Sequence, residues 1–308
     1  MTPISATLVK DLRERTGAGM MDCKAALVET KGDIEGAIDW LRKKGLSKAA
    51  KKAGRAAAEG LVGVHAAGTM GVMAEVNSET DFVARNEQFQ AMVARIVVLA
   101  GEAKGDLARL LAMPYAKGNA ETVDEHVKEM VATIGENMAV RRVATLSVAS
   151  GAVASYVHNQ VAAGLGKIGV LVALDSPGKN ADELMSLGRN VAMHVAATNP
   201  VALDLAGVPA DVLEREKAIL ADKNKGKPPQ VLEKILQSSL KSYAKEHCLL
   251  DQAYIHDPAK SVAQALKDAE AKAGGPIKCA GFVLFKLGDG IEKPTDDFAA
   301  EVAKMSGG

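Results

Sequence analysis

The chain has 308 residues, 48% of them hydrophobic and only 3% aromatic, with 38 Lys+Arg balanced by 38 Asp+Glu. That length suits about two domains, and the apolar fraction supports a core and excludes wholesale disorder. A net charge of zero argues against a protein whose main partner is a nucleic acid backbone. Three scattered cysteines, Cys23, Cys248 and Cys279, fit a reducing, cytoplasmic setting better than a disulfide scaffold. No apolar run approaches the roughly 18 residues of a membrane span. No basic stretch followed by an apolar one opens the sequence, so no targeting segment is expected.

From the N-terminus, Leu8, Leu12 and Arg15 sit at helical spacing ahead of Gly17 and Gly19. A second helix is expected from Met20 or Met21 to Gly32. Asp33 is a candidate cap for a third, which carries Ile34, Ala37, Ile38 and Leu41 on one face and is expected to stop at Gly45. Residues 1–54 therefore read as a small three-helix module. The basic tract Lys48–Arg55 reads as a solvated helical linker, and as an RNA-binding tract in the competing view; it has no interleaved aromatic to stack on bases.

At Leu61 the pattern changes. Leu61–Ala66 and Met70–Val76 read as two strands of a hairpin around Gly68-Thr69. A helix follows from about Asn86 to Leu99, then weaker helices at Leu107–Leu111 and Val123–Gly135. Val140–Val148, Val153–Val157 and Gly169–Ser176 are strand-like, and Asp182–Ala197 is helical. Gly71–Ser78 and Gly169–Ser176 share Gly, Val and Ser at matching positions, with apolar exchanges and an Asn/Asp pair between them. This reads as a duplicated hairpin-plus-helix unit, an α+β fold with helices against antiparallel sheet. The division expected is 55–140 for the first core unit and 141–200 with 241–290 for the second.

The connection Asn77–Asn86 stands apart. It places a carboxylate and a large aromatic, Asp81 and Phe82, side by side in a chain poor in aromatics. One reading is structural: Thr80 or Asp81 caps the next helix and Phe82 staples its start. The duplicate connection, Pro177-Gly178-Lys179-Asn180, is a plain turn without such a pair, which favours a functional reading. Further on, Pro209–Tyr243 reads as a helical hairpin bounded at 201–240, with charged sides and a thin apolar seam, suited to an arm that meets a second copy. Val262–Ala269 is helical, Ala280–Leu287 is a strand, and Phe298–Met305 in the 291–308 tail is a short amphipathic helix that needs a docking surface.

Catalytic signatures are missing from the sequence. It has no phosphate loop, dinucleotide fingerprint, His-Glu-x-x-His or Gly-x-Ser-x-Gly. Six histidines form no metal-spaced cluster, His247-Cys248 with His256 being the nearest to one. A binding or regulatory protein is the better reading than an enzyme; a hydrolase built on His158 or His194 is a third.

Leu12–Leu27, containing Arg15-Thr16-Gly17-Ala18-Gly19-Met20-Met21-Asp22-Cys23-Lys24, closely resembles the N-terminal signature of the bacterial elongation factor Ts family. Glu79-Thr80-Asp81-Phe82-Val83 resembles its second signature. Ile134-Gly135-Glu136-Asn137 with Arg141-Arg142, Ser155–His158, His194–Ala197 and Asp297–Val302 follow in the same order, so the resemblance runs nearly end to end. The chain departs from some members in a longer His158–Gly166 segment, in the arm and in the Ala/Gly stretch before Cys279. The resemblance implies a guanine nucleotide exchange factor for elongation factor Tu that acts by protein–protein contact. It implies no cofactor and no nucleotide contact of its own. It also implies a ubiquitin-associated-like N-terminal module gripping the partner through Leu12, Met20 and Met21. The loop Thr80, Asp81, Phe82 and Val83 would dislodge the partner's Mg²⁺, and His158 would lie at the partner's phosphate-loop side. The arm would be a dimerisation hairpin, and the terminal helix with Phe298 would dock on the partner.

Overall fold

The computed structural model describes residues 4–118 and 120–292. Helices α1 (Ala6–Thr16), α2 (Met20–Glu29) and α3 (Ile34–Lys52) form the N-terminal module around Leu12, Cys23, Ala26, Leu27 and Ala37. Ser5 caps α1 by accepting from Leu8 N, and Gly17 closes it with a left-handed φ of 66°. α3 does not stop at Gly45. It continues through the basic tract because Gly45 is a contact glycine, where an added Cβ would come within 3.2 Å of Ala132 on a later helix.

The core follows as β1 (Glu59–Ala67), β2 (Met70–Ser78), α4 (Glu87–Glu102), α5 (Leu107–Ala112), α6 (Val123–Ile134) and β3 (Met138–Ser147). Then come β4 (Gly151–His158), β5 (Leu165–Gly166), β6 (Ile168–Asp175) and α7 (Ala181–Thr198). The remainder is α8 (Ala210–Lys223), α9 (Pro229–His247), β7 (Ala253–Tyr254), β8 (Asp257–Ser261), α10 (Val262–Ala273) and β9 (Lys278–Lys286). One sheet has the order β3-β2-β1-β5, a second β4-β6-β9, and β7-β8 is a separate small hairpin.

The duplication is visible in register. In each unit a hairpin leads into a helix, and a later strand pairs antiparallel with the second hairpin strand: β3 with β2, and β9 with β6. Both second strands carry a bulge at matching positions, Glu75/Val76 and Ala173/Leu174. Both first strands carry a glycine with positive φ within their first two residues, Gly60 at 115° and Gly151 at 111°, paired with Asn77 and Asp175. A Cβ at either would lie 2.2 Å or 2.1 Å from the carbonyl of Val76 or Leu174, so only glycine fits.

The two sheets pack face to face through Val62, Val64 and Met73 against Val153, Leu171, Ala173 and Phe285. Gly71 receives Leu171 and Val153, while its counterpart Gly169 receives Val62, Val64 and Met73, so the contact is nearly two-fold symmetric. α4 and α6 cover the first sheet and α7 and α10 the second.

β3 pairs with β2 and belongs to the first sheet. α9 runs to His247, with Ala244 and Cys248 anchoring its root. The tail containing Phe298 lies outside the described residues.

Candidate functional site

The β2–α4 connection is held on both sides of Asp81 and Phe82. Upstream, Ser78 Oγ donates to Thr80 O at 2.9 Å. Thr80 N and Oγ1 donate to the two carboxylate oxygens of Glu136 at 2.9 and 2.6 Å. Glu136 and Asn137 form the turn from α6 into β3, and the Asn137 amide donates to Glu79 Oε1. Downstream, Val83 and Ala84 are buried in the first unit's core in a 3-10 turn, Val83–Arg85. Asn86 then caps α4 by accepting from Gln88 N and Phe89 N. Capping therefore belongs to Asn86, and the buried aromatic at the helix start is Phe89, not Phe82.

Phe82 is 75% exposed, with φ −62° and ψ −36° in the helical region, and Asp81 beside it is exposed. The backbone is unstrained and clamped while the two side chains project outward. This arrangement presents an apolar wedge and a carboxylate to another surface without first having to order the loop.

The strand leading into this loop carries a buried charge cluster. Glu75, fully buried, accepts from Arg141 Nη1 at 3.1 Å, Arg142 Nε at 2.5 Å, Asn77 Nδ2 at 3.1 Å and the Gly288 amide at 2.9 Å. Burial pushes its carboxyl up, but the Gly288 amide, Arg142 and Asn77 together outweigh it and hold the group below its ordinary value. Arg142 also lies over the Phe285 ring at 4.3 Å, tying β3 to β9.

The other expected contact residues lie on other elements. Met20 and Met21 open α2, 59% and 75% exposed, a bare apolar step on the N-terminal module. Leu12 is fully buried inside that module, so it supports this face from within and offers no surface of its own. His158 ends β4, exposed, with Nδ1 3.1 Å from Tyr156 OH. His194 is buried: Nδ1 accepts from the Ile255 amide at 3.3 Å and Nε2 meets Gln252 Oε1 at 2.9 Å, a packing role that leaves neither nitrogen for catalysis.

The basic tract is largely occupied by the protein itself. Lys48 and Lys44 pair with Asp22 at 2.6 and 3.1 Å, Lys52 donates to Gly135 O, and Arg55 faces Glu79 at 3.5 Å. These contacts fasten α3 to α2 and α6 where a solvated linker was expected, and the carboxylates of Asp22 and Glu79 offset two of these four positive charges. Glu79, Glu136 and Asn137 went unassigned from sequence reasoning. Glu136 is far from Thr80 along the chain, and nothing local marks it as a clamp.

Among the described residues, no helix is long and apolar enough to cross a membrane. The family model described as Elongation factor TS matches residues 79–289. The chain is 60% identical to an elongation factor Ts from Bradyrhizobium sp. (strain ORS 278), covering 100% of this chain and 99% of that protein. It is 60% identical to one from Methylobacterium sp. (strain 4-46), with 98% of each chain covered. On a profile match over most of its length and full-length identity at this level, the chain belongs to the elongation factor Ts family.

Proposed function

We propose that this protein is the guanine nucleotide exchange factor for elongation factor Tu in the elongation step of protein synthesis, working in the cytoplasm by protein–protein contact and without catalytic chemistry. Its family membership gives the class of activity. The observation that carries the mechanism is Phe82, three-quarters exposed on a connection clamped by Glu136 and by buried Val83.

In this reading Met20 and Met21 grip the GTPase and bring the loop to its nucleotide site. The Phe82 ring enters between elements of the partner and shifts them. The Asp81 carboxylate competes for the groups that hold the waters of the partner's Mg²⁺. That ion demands near-ideal octahedral geometry, so a small shift costs it much of its binding. Without it the phosphate charge is uncompensated and GDP leaves. Thr80 and Val83 hold the loop in place. His158 approaches the phosphate-loop side and Phe298 belongs to a second contact. The factor must prefer the nucleotide-free partner; a ten-thousand-fold preference corresponds to roughly 5.5 kcal/mol, and by linkage nucleotide weakens the factor equally. The α8–α9 arm is assigned to homodimerisation.

The test is release of fluorescent GDP from elongation factor Tu with this protein at substoichiometric concentration. Acceleration that is lost in Asp81→Ala/Phe82→Ala supports both function and mechanism. Acceleration retained in that double variant moves the mechanism to His158 or the N-terminal grip, and no acceleration refutes the function.

A further inference from the structure

Away from the exchange loop, we propose that Glu121, His126 and Glu129 form a binding site for one divalent transition-metal ion of the zinc type. Each offers one ligand atom, and the three atoms lie within 4.8 Å of one another. His126 and Glu129, three residues apart on α6, share a helix face. Glu121 arrives from the segment before the Thr122 cap, where Tyr115 N donates to Glu121 O at 2.9 Å and Pro114 bridges Thr122.

Two observations point to an ion and not to a simple polar cluster. His126 Nδ1 is buried and makes no hydrogen bond, the kind of orphaned atom that calls for a bound species. It lies 3.4 Å from Glu121 Oε1. Two ligands each about 2.1 Å from a common tetrahedral ion stand about 3.4 Å apart.

The surroundings suit a metal. The Tyr115 ring stacks on His126 at 3.6 Å and 11°, fixing the imidazole plane, the kind of outer support that orients metal ligands. Glu121 and Glu129 line the groove between α3 and α6, which gives an ion an entry path. One imidazole and two carboxylates favour zinc-like ions over Mg²⁺, which prefers oxygen ligands alone.

The test is calorimetric titration of the chelator-treated full chain with Zn²⁺, alongside thermal unfolding. The expected result is one saturable ion per chain, a melting temperature that rises with Zn²⁺, and an affinity lowered by at least about tenfold in each of His126→Asn and Glu129→Gln. Circular dichroism of both variants confirms that they fold, and Glu129→Gln keeps the side-chain shape. Mg²⁺ at the same concentrations should produce no shift. The proposal is overturned if Zn²⁺ does not saturate, if both folded variants bind it as tightly as the parent, or if Mg²⁺ binds equally well.

Discussion

Phe82 leaves 75% of its surface in water, although burying a phenylalanine side chain returns about 1.5–3 kcal/mol. A residue that contributes so little to its own fold can be removed cheaply. Phe82→Ala is expected to change unfolding stability by no more than about 0.5 kcal/mol while sharply reducing GDP release from elongation factor Tu. A drop of several degrees in melting temperature would return Phe82 to a structural role. Glu136 is the opposite case, since it works from beneath the loop. Glu136→Ala removes two charge-assisted hydrogen bonds to Thr80, each of a kind worth about 1.5–3 kcal/mol. Amide exchange at Thr80 should accelerate by about tenfold or more, and stimulated GDP release should fall with it. Unchanged Thr80 protection would show that the clamp does not govern the loop. The Asp81-Phe82 pair was legible in the sequence because an aromatic beside a carboxylate is conspicuous in a chain so poor in rings. The clamp was not, because its two halves meet only once α6 and β3 have packed beside β2.

At the scale of elements, the repeat imposes the same demand twice. Gly60 and Gly151 both have strongly positive φ and a carbonyl about 2 Å from where a Cβ would sit, whereas Gly68 has positive φ with open space around it. Gly60→Ala and Gly151→Ala should each cost more than about 2 kcal/mol, from backbone strain plus the clash. Gly68→Ala should cost about 1 kcal/mol, from strain alone. Chemical denaturation of the three variants checks the order, and equal losses would refute the symmetric role. The strand match between Gly71 and Gly169 pointed to this duplication, but the glycines that enforce it lie in the partner strands. Gly45 shows the limit of local rules. Glycine inside a helical pattern reads as a stop, yet here it lets α3 approach α6 closely, and the helix runs seven residues further, to Lys52.

Across the whole molecule, Glu75 joins β2, β3 and the turn after β9 through Arg141, Arg142 and Gly288. Its folded value lies below the ordinary 4.5. Its contribution is therefore present above pH 4.5 and is lost as pH falls through the lower folded value. Glu75→Gln should cost about 3 kcal/mol at neutral pH by leaving two arginines without their partner, and it should flatten the acid side of the stability profile. A variant as acid-sensitive as the parent would exclude this cluster as the cause. The arm is the other whole-molecule feature. Among its helices only Ala244 is buried, while Ile219 and Val231 stay exposed. Sedimentation should give a dimer mass for the intact chain and a monomer mass once 210–243 is replaced by a short linker; an intact chain that sediments as a monomer removes the dimer assignment.

The sequence by itself determined the longer helices and strands, their α+β class and the internal repeat, because apolar periodicity and glycine placement act over a few residues; the short β5, β7 and β8 carried no such signal. It also marked the pair Asp81-Phe82, because that pair breaks the local pattern, while Met20-Met21 was marked only through the family resemblance. Only the tertiary structure decided that Leu12 faces inward, that Phe89 and not Phe82 starts the helix core, and that the basic tract serves internal ion pairs. It alone assembled Glu136 with Thr80, and Glu121 with His126 and Glu129. Each of these depends on which surfaces meet when the helical module, α6 and the two sheets pack, and that is set by long-range burial and close approach, which leave no signal in neighbouring residues.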